Sequence, residues 1–190
     1  MPIDIDIAAS RPGLRNLFDR LDDDVKVFFD EFRALVESNF SLEVVLAYVF
    51  LRLEQGQHMA LYCGARKLHK TDGELTWRAL DAQHMIREGF HKYFETIYGA
   101  PLPQDVRDII TPAENIRDRL MHGKGLDPAE LREAISRTLQ YTDHINRFLD
   151  GRDVGFRPFC GDLRGFAGRL ESMDTATSRW ILKGMGFQIA

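Results

Sequence analysis

The stretch Glu114-Asn115-Ile116-Arg117-Asp118-Arg119-Leu120-Met121-His122-Gly123-Lys124 gathers the side chains of this chain best suited to chemistry. Arg117 offers a planar fork of N–H donors, a shape that matches a phosphate. His122 can take up, carry or give a proton near neutral pH. Helical residues advance ~100° each, so Glu114, Asp118 and His122 lie at i, i+4 and i+8 along one side, while Ala113, Ile116 and Leu120 face a core. Asp118 is then one turn from His122 and placed to orient its imidazole. The segment therefore predicts a phosphate-directed site, with Arg117, His122 and Asp118 acting on the reacting group. Glu114, Asn115 and Lys124 are the expected substrate contacts. Arg119 is expected to be a solvated charge, and Glu114 also reads as a helix cap.

The other constellations are weaker. Asp81, His84, Glu88 and His91 share a helical stripe, and Glu88-x-x-His91 is half of a di-iron bundle motif, but the second half is missing. No metal and no cofactor are expected. Glu54 and His58 read as i, i+4 partners, and Trp77 and Trp180 as packing residues. No glycine-rich phosphate loop, Walker motif or nucleophile elbow is present. Cys63 and Cys160 match no CxxC or zinc pattern, which predicts a reduced, cytoplasmic setting. Met1 to Ala9 contains Asp4 and Asp6 and no basic start, so no signal peptide is expected. The densest apolar run, Val44 to Leu51, is far shorter than the ~20 residues that span a bilayer, so no membrane partner is expected. A net charge of −4 argues against a surface coated for duplex DNA, while leaving room for a local basic site.

Helical periodicity supplies the frame for the site. With 44% hydrophobic residues in 190, the chain can bury a real core, and 13 phenylalanines make that core Phe-rich. The spacing predicts a helix over Asp23 to Ser38, with Val25, Phe28, Phe29, Phe32, Leu35 and Val36 on its buried face. A second runs from Leu42 to His69, apolar nearly all round in its first half, with Gly56 and Gly64 marking close packing or a break. A third opens at the capping box Thr71-Asp72-Gly73-Glu74 and ends near Gly99, burying Leu75, Ala79, Ala82, Ile86, Phe90, Tyr93 and Ile97. A short turn, Gln104 to Ile110, precedes a separate helix opened by Thr111-Pro112-Ala113-Glu114 and closed at Gly123. Asp127-Pro128-Ala129-Glu130 repeats that device and starts a last long helix. Past Asp150 the composition shifts: residues 151–190 carry six Lys/Arg against four Asp/Glu, +2 locally, whereas the preceding 150 residues carry −6. Short helices are expected near Asp162 to Leu170 and near Thr175 to Lys183. The fold class is all-α: an up-down helical bundle of four to five main helices over 1–150, with a Gly-rich, basic helical extension over 151–190.

Arg117-Asp118-x-x-x-His122 resembles the R-x(4-6)-H signature of HEPN domains, in the form where Asn, Asp or His follows the Arg. The helix order over roughly 20–150 is also similar, with the motif late in an all-α bundle and a further helix after it. The resemblance implies a metal-independent endoribonuclease, or a non-catalytic relative that binds RNA, a nucleotide or a protein. In the enzyme, an RNA 2′-hydroxyl attacks its own phosphodiester, Arg117 stabilises the phosphorane, and His122 moves a proton or holds phosphate. The resemblance further implies a homodimer with the motifs facing one another. It also implies a toxin or defence role beside a nucleotidyltransferase-like antitoxin.

Overall fold

The structure is a computed structural model that describes residues 3–83, 87–152, 154–161, 163 and 169–189. Among them the chain is all-α. Its helices are α1 (Arg11–Asp19), α2 (Asp23–Phe28), α3 (Phe32–Glu37), α4 (Leu42–His69), α5 (Gly73–Asp81), α6 (Arg87–Tyr98), α7 (Gln104–Met121), α8 (Pro128–Asp150) and α9 (Thr175–Gly184). No strand occurs among the described residues. None of these helices is long and apolar enough to cross a membrane. The helix expected near Asp162 to Leu170 lies largely outside the described residues.

The chain divides into two compact units, each as far as it is described. The first holds Met1–Glu54, Pro103–Phe148 and Phe159–Gly161; the second holds Gln55–Leu102, Leu149–Pro158 and Asp162–Ala190. The units interleave along the sequence, whereas composition places one boundary at residue 150. The segment Glu114 to Lys124 belongs to the first unit.

In the first unit, α1 was not anticipated, although its signal is local. Ser10 Oγ accepts from the Gly13 N–H at 3.2 Å and Pro12 sits in the first turn, so the helix starts there and buries Leu14, Leu17 and Phe18. The single helix expected over Asp23 to Ser38 is instead α2 and α3. Consecutive residues on a straight helix point ~100° apart. The chain leaves the helix at Phe29 (φ −94°, ψ 51°), and Phe28 and Phe29 are both buried, at 5% and 0% exposed. The expected break between Ile110 and Thr111 is absent: α7 runs unbroken through Pro112. Proline lacks an N–H, so the helix forgoes one internal bond there; beside it the Thr111 hydroxyl donates to the Arg107 carbonyl at 3.2 Å. The capping box at Asp127 forms as read. Asp127 Oδ1 accepts from the Ala129 and Glu130 N–H groups at 2.7 and 2.9 Å, and Glu130 Oε2 accepts from the Asp127 N–H at 3.1 Å.

Part of the extension is core. Phe159 is fully buried, edge-on to Phe28 with ring centres 5.3 Å apart. The Asn146 amide, 1% exposed, bridges the Phe159 backbone: its Nδ2 donates to the carbonyl at 2.8 Å and its Oδ1 accepts from the N–H at 3.1 Å. Phe159→Ala is expected to cost about 3–5 kcal/mol, a drop of roughly 6–20 °C in Tm for a chain of this size. A calorimetric melt within a degree of wild type would show that Phe159 is dispensable.

In the second unit, α4 continues without a break at Gly56 or Gly64. Gly64 marks close packing: a Cβ there would lie 2.8 Å from Ile97 Cγ2 and from the Tyr98 ring, so only glycine lets α6 approach so near. Tyr98 Oη donates to the Ala60 carbonyl at 2.7 Å on the same contact. Cys63 is buried. The third expected helix is two, α5 and α6, and its N-cap is Asp72 rather than Thr71, with Asp72 Oδ1 accepting from the Leu75 N–H at 2.8 Å. Thr71 is fully buried, its Oγ1 accepting from the Thr76 hydroxyl at 2.8 Å. Ala82, expected in the buried stripe, is the exposed C-cap of α5, and Ile86 lies outside the described residues. Arg66, 5% exposed, donates to Ser172 Oγ at 2.6 Å and to the Leu170 carbonyl at 3.0 Å, tying the extension to α4. Tyr93 and Phe187 stack at 4.2 Å. Trp180, expected to pack, stands 78% exposed, and Trp77 is 44% exposed with one edge-on contact to Tyr62.

Candidate functional site

The site is positioned from α7 outward. Ile109, Ile110, Ala113 and Ile116 are buried and fix the rotation of the helix, which leaves Asn115 and Asp118 exposed and Arg117 half-exposed. The helix stops at Gly123, whose φ of +70° is open to glycine at no steric cost. The Gly123 N–H donates to the Leu120 carbonyl at 2.9 Å and the Lys124 N–H to the Arg119 carbonyl at 3.0 Å. This paired closure is a Schellman motif, and it fixes the backbone of His122 as the C-cap (φ −87°, ψ 13°). The His122 side chain is exposed and makes no hydrogen bond among the described residues.

Arg117 is tightly engaged. Its Nη1 donates to Glu54 Oε1 at 3.0 Å, while its Nη2 and Nε donate to Asp118 Oδ1 at 2.9 and 3.2 Å. The guanidinium carbon lies 5.1 Å from the centre of the Phe50 ring, and Phe50 is 3% exposed. A buried ring under the cation and a carboxylate on either side hold the group in one orientation. Asp118, expected to orient His122, pairs with Arg117 instead. Its short side chain reaches the guanidinium of the adjacent residue, so the partner expected one turn away does not form.

Arg119, expected to be solvated, donates to Glu130 Oε1 at 2.5 Å. The same carboxylate closes the capping box of α8, so this pair links the end of α7 to the start of α8. The Arg119 hydrogen bond, followed by the Asp127 N–H, holds the Glu130 carboxyl below its ordinary range. Glu114 is neither a cap nor at the surface. It lies mid-helix, because α7 begins eight residues before the expected first residue Pro112, and it is 7% exposed. Asn115 and Lys124 are exposed.

Glu54 joins the site from outside the motif. Spacing makes it a partner of His58 one turn along α4, but its carboxylate reaches Arg117, 63 residues away. No local spacing announces such a contact. Among the described residues no group of three His, Cys, Asp or Glu could hold a metal ion. The stripe of Asp81, His84, Glu88 and His91 is interrupted between α5 and α6, and His84 and the Glu88 side chain lie outside the described residues. Compared with the models of known protein families, with curated proteins and with solved structures, the chain matches none.

Proposed function

We propose that this protein is a metal-independent endoribonuclease of the HEPN type, acting as a homodimer on RNA. One observation carries the reading: Arg117 is held in a fixed orientation five residues before an exposed His122, on a helix end whose backbone is locked. Cleavage proceeds by attack of the 2′-hydroxyl oxygen on the adjacent phosphorus. The P–O5′ bond breaks, the 2′-hydroxyl loses its proton, the 5′ oxygen gains one, and a 2′,3′-cyclic phosphate remains. Arg117 stabilises the charge on the phosphorane. His122 carries a proton to or from the reacting oxygens. Lys124 and Asn115 contact the strand.

The test is incubation of the purified full chain with mixed RNA in EDTA. Cleavage is expected to persist, to leave 2′,3′-cyclic phosphate ends, and to stop at a position made 2′-deoxy. Cleavage that requires added Mg²⁺ would refute the mechanism. A second reading, a non-catalytic HEPN-type module that binds RNA, a nucleotide or a protein, is favoured by the two carboxylates on Arg117. It predicts retention of RNA with no product in the same assay. A neighbouring gene for a small nucleotidyltransferase would support a toxin or defence role with that protein as antitoxin.

A further inference from the structure

We infer that the Glu54 carboxylate is the resident counter-anion of Arg117, which a phosphate group displaces when it binds, so that Glu54 sets the affinity of this site for phosphate. The inference rests on the reading of Arg117 as a phosphate ligand and adds to it a residue outside the motif, on α4. Three N–H groups of Arg117 are already committed, two to Asp118 and one to Glu54. The guanidinium has five N–H groups, so one on Nη1 and one on Nη2 remain; a phosphate that takes them shares Nη1 with the Glu54 carboxylate, and the repulsion between the two anions favours the departure of Glu54.

The two acceptors are not equivalent. Asp118 lies on the same helix as Arg117 and takes two of the three contacts, at 2.9 and 3.2 Å. Glu54 belongs to another helix, makes one contact at 3.0 Å, and has a side chain 56% exposed. Water replaces such a contact readily, and exposed ion pairs of this kind change an equilibrium by a factor of about two to five. Phe50 beneath the guanidinium holds its plane when Glu54 leaves, so the cation remains where the phosphate needs it. Glu54 thus neutralises Arg117 in the unliganded protein and suppresses weak binding of single anions. A phosphodiester on a strand overcomes this because it brings further contacts to His122 and Lys124.

Glu54→Gln keeps the shape and the acceptor oxygen and removes the charge. The probe is inorganic phosphate, titrated into the full chain while the Arg117 Nε–Hε resonance is followed by NMR; the resonance is assigned by its loss in Arg117→Ala. Half-saturation is expected to fall about two- to five-fold in Glu54→Gln. A 2′-deoxy oligonucleotide that cannot be cut should gain affinity by a similar factor, and the gain should vanish when Arg117→Ala is added. An unchanged or weaker phosphate response in Glu54→Gln, or an equal gain without Arg117, overturns the inference. So does a lowered melt with no gain in phosphate affinity, which would make Glu54 a structural tie. If phosphate behaves as expected but no oligonucleotide binds, the counter-anion role stands and the ribonuclease reading falls. If phosphate leaves the Arg117 resonance unmoved in both proteins, the counter-anion role falls.

Discussion

Arg117→Ala and His122→Ala are each expected to lower RNA cleavage by about a hundred-fold or more while leaving the protein folded. The size follows from the roles assigned to them. Removing one group that stabilises developing charge costs ~10²–10³ in rate, and removing a proton-transfer group costs a similar factor. Their effect on stability is small for reasons visible in the geometry. His122 is exposed and unbonded among the described residues, so its replacement should stay within about 0.5 kcal/mol. Arg117 loses a partly exposed ion pair and its contact with Phe50, about 1 kcal/mol together, or roughly 2–4 °C for a chain this long. The measurement pairs initial cleavage rates with thermal melts on the same samples. A variant that keeps wild-type cleavage removes its residue from the site. A Tm lowered by much more than this range would show that the side chain supports the fold instead.

The parts of this architecture readable in sequence are those written in local chemistry. The bounds of α4 follow from apolar periodicity, α8 from its capping box, and the end of α7 from one glycine. Sequence and structure part where a distant demand outweighs a local signal. Pro112 looks like a helix start, but the apolar residues on both sides of it share one buried face, and α7 continues through it. The phenylalanine run from Phe28 suggests one helix, but the chain leaves the helical conformation at Phe29. The candidate site shows the same contrast. Arg117 and His122 stand out by type and spacing, whereas Glu54 is defined only by the packing of α4 beside α7 within the first unit. Asp118 lies on the helix face that its spacing indicates but pairs with Arg117 rather than His122, since spacing fixes direction and not side-chain choice among nearby charges.

Diluting the protein is expected to abolish cleavage per chain once its concentration falls below the dimer dissociation constant. Arg117 and His122 are five positions apart, so on one helix they diverge by ~140° and aim poorly at a single phosphate. A two-fold axis beside α7 would supply the missing partner from a second chain, with the same patch used on both sides. The surface near Arg117 suits such a contact. Met121, one turn beyond Arg117, is 76% exposed, and Val44 and Leu51 on α4 are 45% and 55% exposed. Val44, Ala47, Leu51 and Glu54 lie within an arc of ~80° on α4, so the exposed apolar stripe leads to the residue that holds Arg117. Burying Leu51 and Met121 in an interface would gain about 1–2 kcal/mol each at their exposed fractions, and closing the cleft would strengthen its electrostatics. Leu51→Glu leaves Arg117 and His122 untouched and places four like charges around the axis, counting Glu54 from each chain. It is expected to shift sedimentation to the monomer and to remove cleavage together. A protein that sediments as a monomer while still cutting at full rate per chain, or a Leu51→Glu variant that is monomeric and fully active, would sink the dimer.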